Sequence, residues 1–91
     1  MSTAVRKRVV VRGRVQGVFF RDTTRRHASS RGVAGWVSNR PDGAVEAVFE
    51  GEPEAVESLV RFAGQGPRGA DVSDVEVTDE EPEGLSDFEV R

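Results

Sequence analysis

The chain has 91 residues, of which 36% are hydrophobic and 32% are charged, and this suits one globular domain with a single modest core. It has no cysteine and one histidine, which excludes disulfides, thiolate nucleophiles and cysteine- or histidine-rich metal sites. No apolar run approaches the ~20 residues that span a bilayer, and the basic start lacks the apolar stretch of a signal peptide. We therefore expect a single cytoplasmic domain over residues 1–91 with no membrane partner.

Charge is unevenly distributed along the chain, although the net value is only −3. Residues 1–40 carry ten basic side chains and one acidic one, a charge of +9, whereas residues 41–91 carry three arginines and fifteen acidic residues, a charge of −12. A positive region favours an anionic ligand. The same distribution also suits two oppositely charged halves that hold each other in register, and both interpretations stay open here.

Hydrophobic periodicity predicts five strands and two helices. In the first strand Val9 and Val11 alternate with Arg8 and Arg12, the pattern of a half-buried strand. In chain order we predict a strand at residues 7–13, a helix at 20–31, strands at 33–39 and 44–50, a helix at 52–65, a strand spanning Val72 to Val77 and a last strand at 88–90.

Turn residues separate these elements and complete the prediction of the fold. Gly32 ends the first helix, and the sequence RPDG at residues 40–43 favours a tight hairpin turn. Residues 79–84, DEEPEG, are predicted to form a solvated acidic loop. The order βαββαβ with a terminal strand predicts an α+β, ferredoxin-like split-βαβ sandwich: an antiparallel sheet with two helices on one face.

The stretch VRGRVQGVFFR, residues 11–21, lies where the first strand meets the first helix. Glycines there let the backbone bend, so that unpaired N–H groups at a positive helix N-terminus converge on an anion. Arg21 adds a planar fork of donors to the same anion. The alternatives are structural, because a tight strand-to-helix turn needs Gly13 and Gly17 anyway and a lone arginine suits a surface ion pair.

Residues 11–21 resemble the first signature of the acylphosphatases at each position that this signature fixes. GWVSN at residues 35–39, followed by DGAV at 42–45 and Gly51, resembles the second signature of that family. Ser38 departs from the pattern, because the family more often has a basic or longer polar residue there. The resemblance covers essentially the whole chain.

The resemblance implies an enzyme that hydrolyses acyl phosphates to a carboxylate and inorganic phosphate, with no metal, cofactor or covalent intermediate. It implies that Asn39 orients the attacking water and that Arg21 binds the phosphoryl group together with the main-chain N–H groups of Gln16, Gly17, Val18, Phe19 and Phe20. Positioning and charge stabilisation suffice for a substrate with so good a leaving group. We expect a monomer that binds an acyl phosphate as its substrate and inorganic phosphate as its product and inhibitor. We expect no nucleic-acid partner.

Two other functional classes compete with this interpretation. A non-catalytic phosphate-binding or regulatory domain of the same fold would keep the loop without turnover, but the presence of both Arg21 and Asn39 favours the enzyme. An RNA-binding module would need exposed aromatic residues on the central strands, where Phe49 stands alone on its strand. Taken alone, Asn39 is also typical of the end of a strand. His27 has no evident partner side chain, which favours a structural role for His27.

Overall fold

The computed structural model describes residues 3–91 as a five-stranded sheet with two helices packed on one face. The strand order is β4-β1-β3-β2-β5; β5 runs parallel to β2, and every other neighbouring pair is antiparallel. This confirms the ferredoxin-like order, and β5 makes the sheet mixed instead of antiparallel throughout. The elements are β1 (Val5–Arg14), α1 (Phe20–Ser30), β2 (Ala34–Asn39), β3 (Val45–Gly51), α2 (Pro53–Gln65), β4 (Asp71–Glu80) and β5 (Phe88–Val90).

The core fills the space between the helices and one face of the sheet. Val9 and Val11 of β1 are buried there, as their alternation with arginines predicts. Helix α2 contributes Val56, Leu59 and Ala63, whose spacing places them on one side of the helix. Within residues 3–91, neither helix is long and apolar enough to cross a membrane.

The opposite face of the sheet carries charged side chains that pair across strands. Arg8 donates from Nε to Oε2 of Glu80 at 2.6 Å and also pairs with Glu46. Arg12 donates to Oε1 of Glu76 at 2.7 Å. These contacts join β1 to β3 and β4, so the oppositely charged halves of the chain hold each other in register along β1.

The prediction of a solvated acidic loop at residues 79–84 is wrong for Asp79 and Glu80 and confirmed for residues 81–84, which form an exposed loop. Strand β4 continues through Glu80, because its acidic end pairs with the basic start of β1: Glu80 lies opposite Arg6 and Asp79 opposite Lys7. The exposed segment that follows is attached to the sheet, because the N–H groups of Glu83, Gly84 and Leu85 bind the buried carboxylate of Glu50.

Candidate active site

A cleft of about 480 Å³ opens where β1 leads into α1, beside the end of β2. Arg21 and Asn39, the two predicted catalytic residues, both line this cleft although they are far apart in sequence. Two further predicted residues, Gln16 and Val18, are not among the lining residues. The lining consists of Val15, Gly17, Phe19, Phe20, Arg21, Asp22, Arg25, Asn39 and Val90.

The loop between β1 and α1 leaves its main-chain N–H groups free. In the part of the chain that the structure describes, the N–H groups of residues 16–20 donate to no oxygen of the protein. Gly17 has φ 76°, and Phe19, which precedes the first residue of α1, has φ 59°. A left-handed conformation is costly for phenylalanine, and such strain clusters at functional sites. With the positive end of α1 behind them, these N–H groups can bind an anion.

Arg21 lies in the first turn of α1 and is exposed to the cleft. Its Nη1 donates to the main-chain oxygen of Arg91 at 3.2 Å, which holds the guanidinium near the β5 end of the cleft. Among the described residues it forms no ion pair with a carboxylate side chain, whereas Arg25, one turn later, pairs with Asp22 at 3.3 Å. Arg21 therefore keeps donors available for a bound anion.

Asn39 is the last residue of β2, and its side chain contains an unusual acceptor. Its Oδ1 is buried and accepts no hydrogen bond from residues 3–91. An unsatisfied buried acceptor costs about 1–3 kcal/mol, so rotation of the Asn39 amide that brings Oδ1 to a donor in the cleft is favourable. Water is such a donor.

The side chain of Gln16 has a role that the sequence interpretation missed. Its Nε2 donates to the carbonyl oxygens of Arg40 at 2.8 Å and of Ala44 at 2.9 Å. These two bonds tie the loop before α1 to the β2–β3 hairpin that positions Asn39. Sequence carries no signal for this contact, because both acceptors belong to the main chain.

Strand β5 also reaches the cleft, which the sequence pattern did not indicate. Val90 lines the cleft and Arg91 supplies the acceptor for Arg21. Parallel pairing with β2 places both residues there, since Val90 lies opposite Val37.

His27 does not line the cleft. Its ring stacks on Phe62 with centroids 4.3 Å apart and an interplanar angle of 18°. Burial lowers the pKa of His27, and the nearby Arg31 cation lowers it further. Among residues 3–91, no group of three or more His, Asp or Glu side chains is arranged to hold a metal ion.

Comparison with known proteins assigns this arrangement to a family. The family model described as Acylphosphatase matches residues 7–90. The chain belongs to the acylphosphatase family. It is similar to the acylphosphatase of Gloeobacter violaceus, with 58% identity over 90 residues that cover 99% of this chain and 97% of that protein.

Solved acylphosphatase structures share the fold over almost the whole chain. The acylphosphatase from Coxiella burnetii matches with a TM-score of 0.91 and 40% identity, covering 97% of this chain and 93% of that one. The acylphosphatase from Bacillus subtilis also gives 0.91 and 40%, covering 96% and 98%. The prediction of a ferredoxin-like hydrolase of the acylphosphatase family is confirmed.

Proposed function

We propose that the protein hydrolyses acyl phosphates, with the loop at residues 16–20 and Arg21 binding the phosphoryl group and Asn39 orienting the attacking water. One observation carries this proposal. Three residues of the loop with free N–H groups, Gly17, Phe19 and Phe20, line one small cleft together with Arg21 and with Asn39, whose Oδ1 is unsatisfied.

Phosphoryl binding follows from the donors at the start of α1. Loop N–H groups and the helix dipole provide a fixed positive site, and the planar guanidinium of Arg21 donates two parallel hydrogen bonds to phosphoryl oxygens. Because these donors are already oriented, stabilising charge on the transferring group requires little reorganisation. Gly17 and Phe19 supply the backbone conformation that exposes the N–H groups.

Asn39 orients the attacking water. A water that donates to Oδ1 is held with a lone pair available for phosphorus. As the new O–P bond forms, the bond from phosphorus to the acyl oxygen breaks, and the carboxylate leaves with the electron pair. Both protons of the water remain with the phosphate product, which leaves as dihydrogen phosphate. A carboxylate is a stable leaving group, so positioning suffices and a strong base is unnecessary.

The decisive experiment measures release of inorganic phosphate from benzoyl phosphate in the presence of EDTA. We expect turnover that EDTA leaves unchanged, competitive inhibition by inorganic phosphate, and weaker substrate capture at high ionic strength. Arg21→Ala abolishes turnover and phosphate competition. The matched control is Arg26→Ala, since Arg26 lies on the same helix outside the cleft and its Nε pairs with Asp22 at 3.5 Å.

Two results contradict the proposal in different ways. Phosphate binding without turnover identifies a non-catalytic anion-binding domain. Turnover that EDTA abolishes and a divalent metal restores overturns the metal-free mechanism. We further propose that the protein acts as a single-domain monomer, because one chain supplies every group named above; sedimentation equilibrium measures this directly.

A further inference from the structure

Glu50 is a buried carboxylate outside the cleft that the mechanism above does not use. It lies on β3 with 4% of its surface exposed. Oε1 accepts from the N–H of Glu83 at 2.9 Å and from Nη1 of Arg6 at 3.4 Å. Oε2 accepts from the N–H groups of Gly84 at 2.7 Å and Leu85 at 2.9 Å. Three consecutive main-chain donors therefore converge on one side chain.

The contacts of Glu50 are made to the segment that connects β4 to β5. Strands β4 and β5 form opposite edges of the sheet, so the segment between them must cross from one edge to the other. Glu50, on the central strand β3, binds that segment along the way. Gly84 has φ 81°, and this left-handed conformation helps successive N–H groups face a single acceptor.

Residues 83–91, which we call the β5 strap, run from Glu50 to the cleft. Beyond Glu50 the strap pairs with β2 through β5, and two main-chain bonds flank this pairing: the N–H of Gly35 donates to the oxygen of Asp87 at 2.9 Å, and the N–H of Arg91 donates to the oxygen of Val37 at 2.8 Å. Strand β5 itself has only three residues. So short an edge strand opens readily unless its ends are held.

The far end of the strap contacts the catalytic arginine. Val90 lines the cleft, and the main-chain oxygen of Arg91 accepts from Arg21 at 3.2 Å. A displacement of the strap therefore removes the partner that holds the Arg21 guanidinium beside the cleft.

We propose that Glu50 is a positioning residue of the active site: by fixing the β5 strap at residues 83–85, it sets the position of Arg21. This inference rests on the proposed function, because it assigns to Glu50 an effect on phosphoryl binding. Burial alone raises the pKa of Glu50, but the three N–H groups and Arg6 outweigh burial and lower it. The carboxylate is thus charged at neutral pH and accepts from all four donors.

Glu50→Gln is the first test, because an amide nitrogen cannot accept hydrogen bonds. Either orientation of the amide leaves one pair of donors without an acceptor. Loss of net stabilisation worth about one hydrogen bond raises the inhibition constant of inorganic phosphate roughly three- to tenfold.

Glu80→Gln is the matched control. Glu80 also accepts from Arg6 and Arg8, yet it lies on β4 at the opposite edge, and among the described residues it makes no hydrogen bond to the strap. We expect Glu80→Gln to leave the phosphate inhibition constant unchanged at temperatures well below its Tm.

A second pair of variants decides the question if Glu50→Gln does not fold. Gly84→Ala strains the turn that aims the N–H groups, whereas Gly32→Ala imposes a similar strain at φ 68° after α1, and a Cβ has open space at both positions. Only Gly84→Ala should weaken phosphate inhibition. Amide hydrogen exchange of Arg91 gives a readout independent of activity, and it should accelerate in Glu50→Gln and Gly84→Ala alone.

Three outcomes separate the possibilities. An unchanged phosphate inhibition constant in a folded Glu50→Gln or Gly84→Ala variant overturns the inference, as do equal changes in a variant and its control. If the wild type neither binds phosphate nor hydrolyses an acyl phosphate, the proposed function fails instead, and hydrogen exchange at Arg91 still tests the attachment of the strap. A rise confined to Glu50→Gln and Gly84→Ala supports the positioning role.

Discussion

Replacing Gln16 with alanine removes the two hydrogen bonds that join the loop at residues 15–19, for which we propose phosphate binding, to the β2–β3 hairpin. Neither carbonyl is left without a donor, because the Arg40 oxygen still accepts from Gly43 at 3.1 Å and the Ala44 oxygen from Arg40 at 2.8 Å. The cost is therefore that of two ordinary hydrogen bonds, about 1–3 kcal/mol. For a chain of this size, each kcal/mol lowers Tm by roughly 4–8 °C, so we expect a fall of roughly 4–24 °C.

The same change should slow catalysis in the molecules that remain folded. Without the link, the loop proposed to bind the phosphoryl group can move relative to Asn39, and misplacement of about 1 Å can cost about 10²-fold in rate. We expect kcat for benzoyl phosphate to fall roughly 10–100-fold, measured well below the Tm of the variant. Gln65→Ala is the control, since Gln65 is exposed at the end of α2. Wild-type Tm and kcat in Gln16→Ala would refute the reasoning.

Three further changes test other parts of the account. Arg21→Lys keeps the charge but loses the planar fork, so kcat/KM should fall roughly 10²-fold; a wild-type phosphate inhibition constant would contradict this role. Burial and Arg31 lower the pKa of His27, so the folded state binds a proton less tightly than the unfolded state and stability falls as pH drops through the ordinary value of 6.5. His27→Asn should therefore reduce the difference in Tm between pH 7.5 and pH 5. An unchanged difference would contradict this contribution of His27 to the pH dependence of stability. Gly35 has φ 132°, and a Cβ there would overlap the carbonyl oxygen of Val48, so Gly35→Ala should prevent folding. A soluble Gly35→Ala variant with the wild-type Tm would contradict this expectation.

Periodicity and the two motifs were sufficient to predict most of the fold and the location of the cleft. Strand alternation around Val9 and Val11, the helical spacing of Val56 and Leu59, and the RPDG turn each depend on local sequence. Local rules therefore place those elements correctly. Arg21 and Asn39 lie at the ends of elements whose order fixes their proximity, which is why the structure brings them to one cleft.

The contacts that the sequence did not reveal are those between main chain and side chain over long sequence separations. Glu50 looks like the solvent-facing member of an alternating strand, and nothing local shows that three N–H groups 33–35 residues later cover it. The acidic composition of residues 79–84 resembles that of a solvated loop, although pairing with basic side chains of β1 extends the strand. The parallel pairing of β5 likewise depends on where the strap crosses the sheet.

The measurement that tests the central claim most directly is kcat of Asn39→Ala together with its phosphate inhibition constant and Tm. If Asn39 orients water, its loss removes one placed polar group from a preorganised site, and kcat falls by ~10²–10³. The phosphate inhibition constant should stay close to the wild-type value, because our proposal assigns phosphate binding to Arg21 and the loop N–H groups. Tm should not fall, because Oδ1 has no partner to lose among the described residues. If the variant instead loses ~0.5–2 kcal/mol of stability and keeps the wild-type kcat, Asn39 only stabilises the end of β2, and its proposed role in orienting water is contradicted.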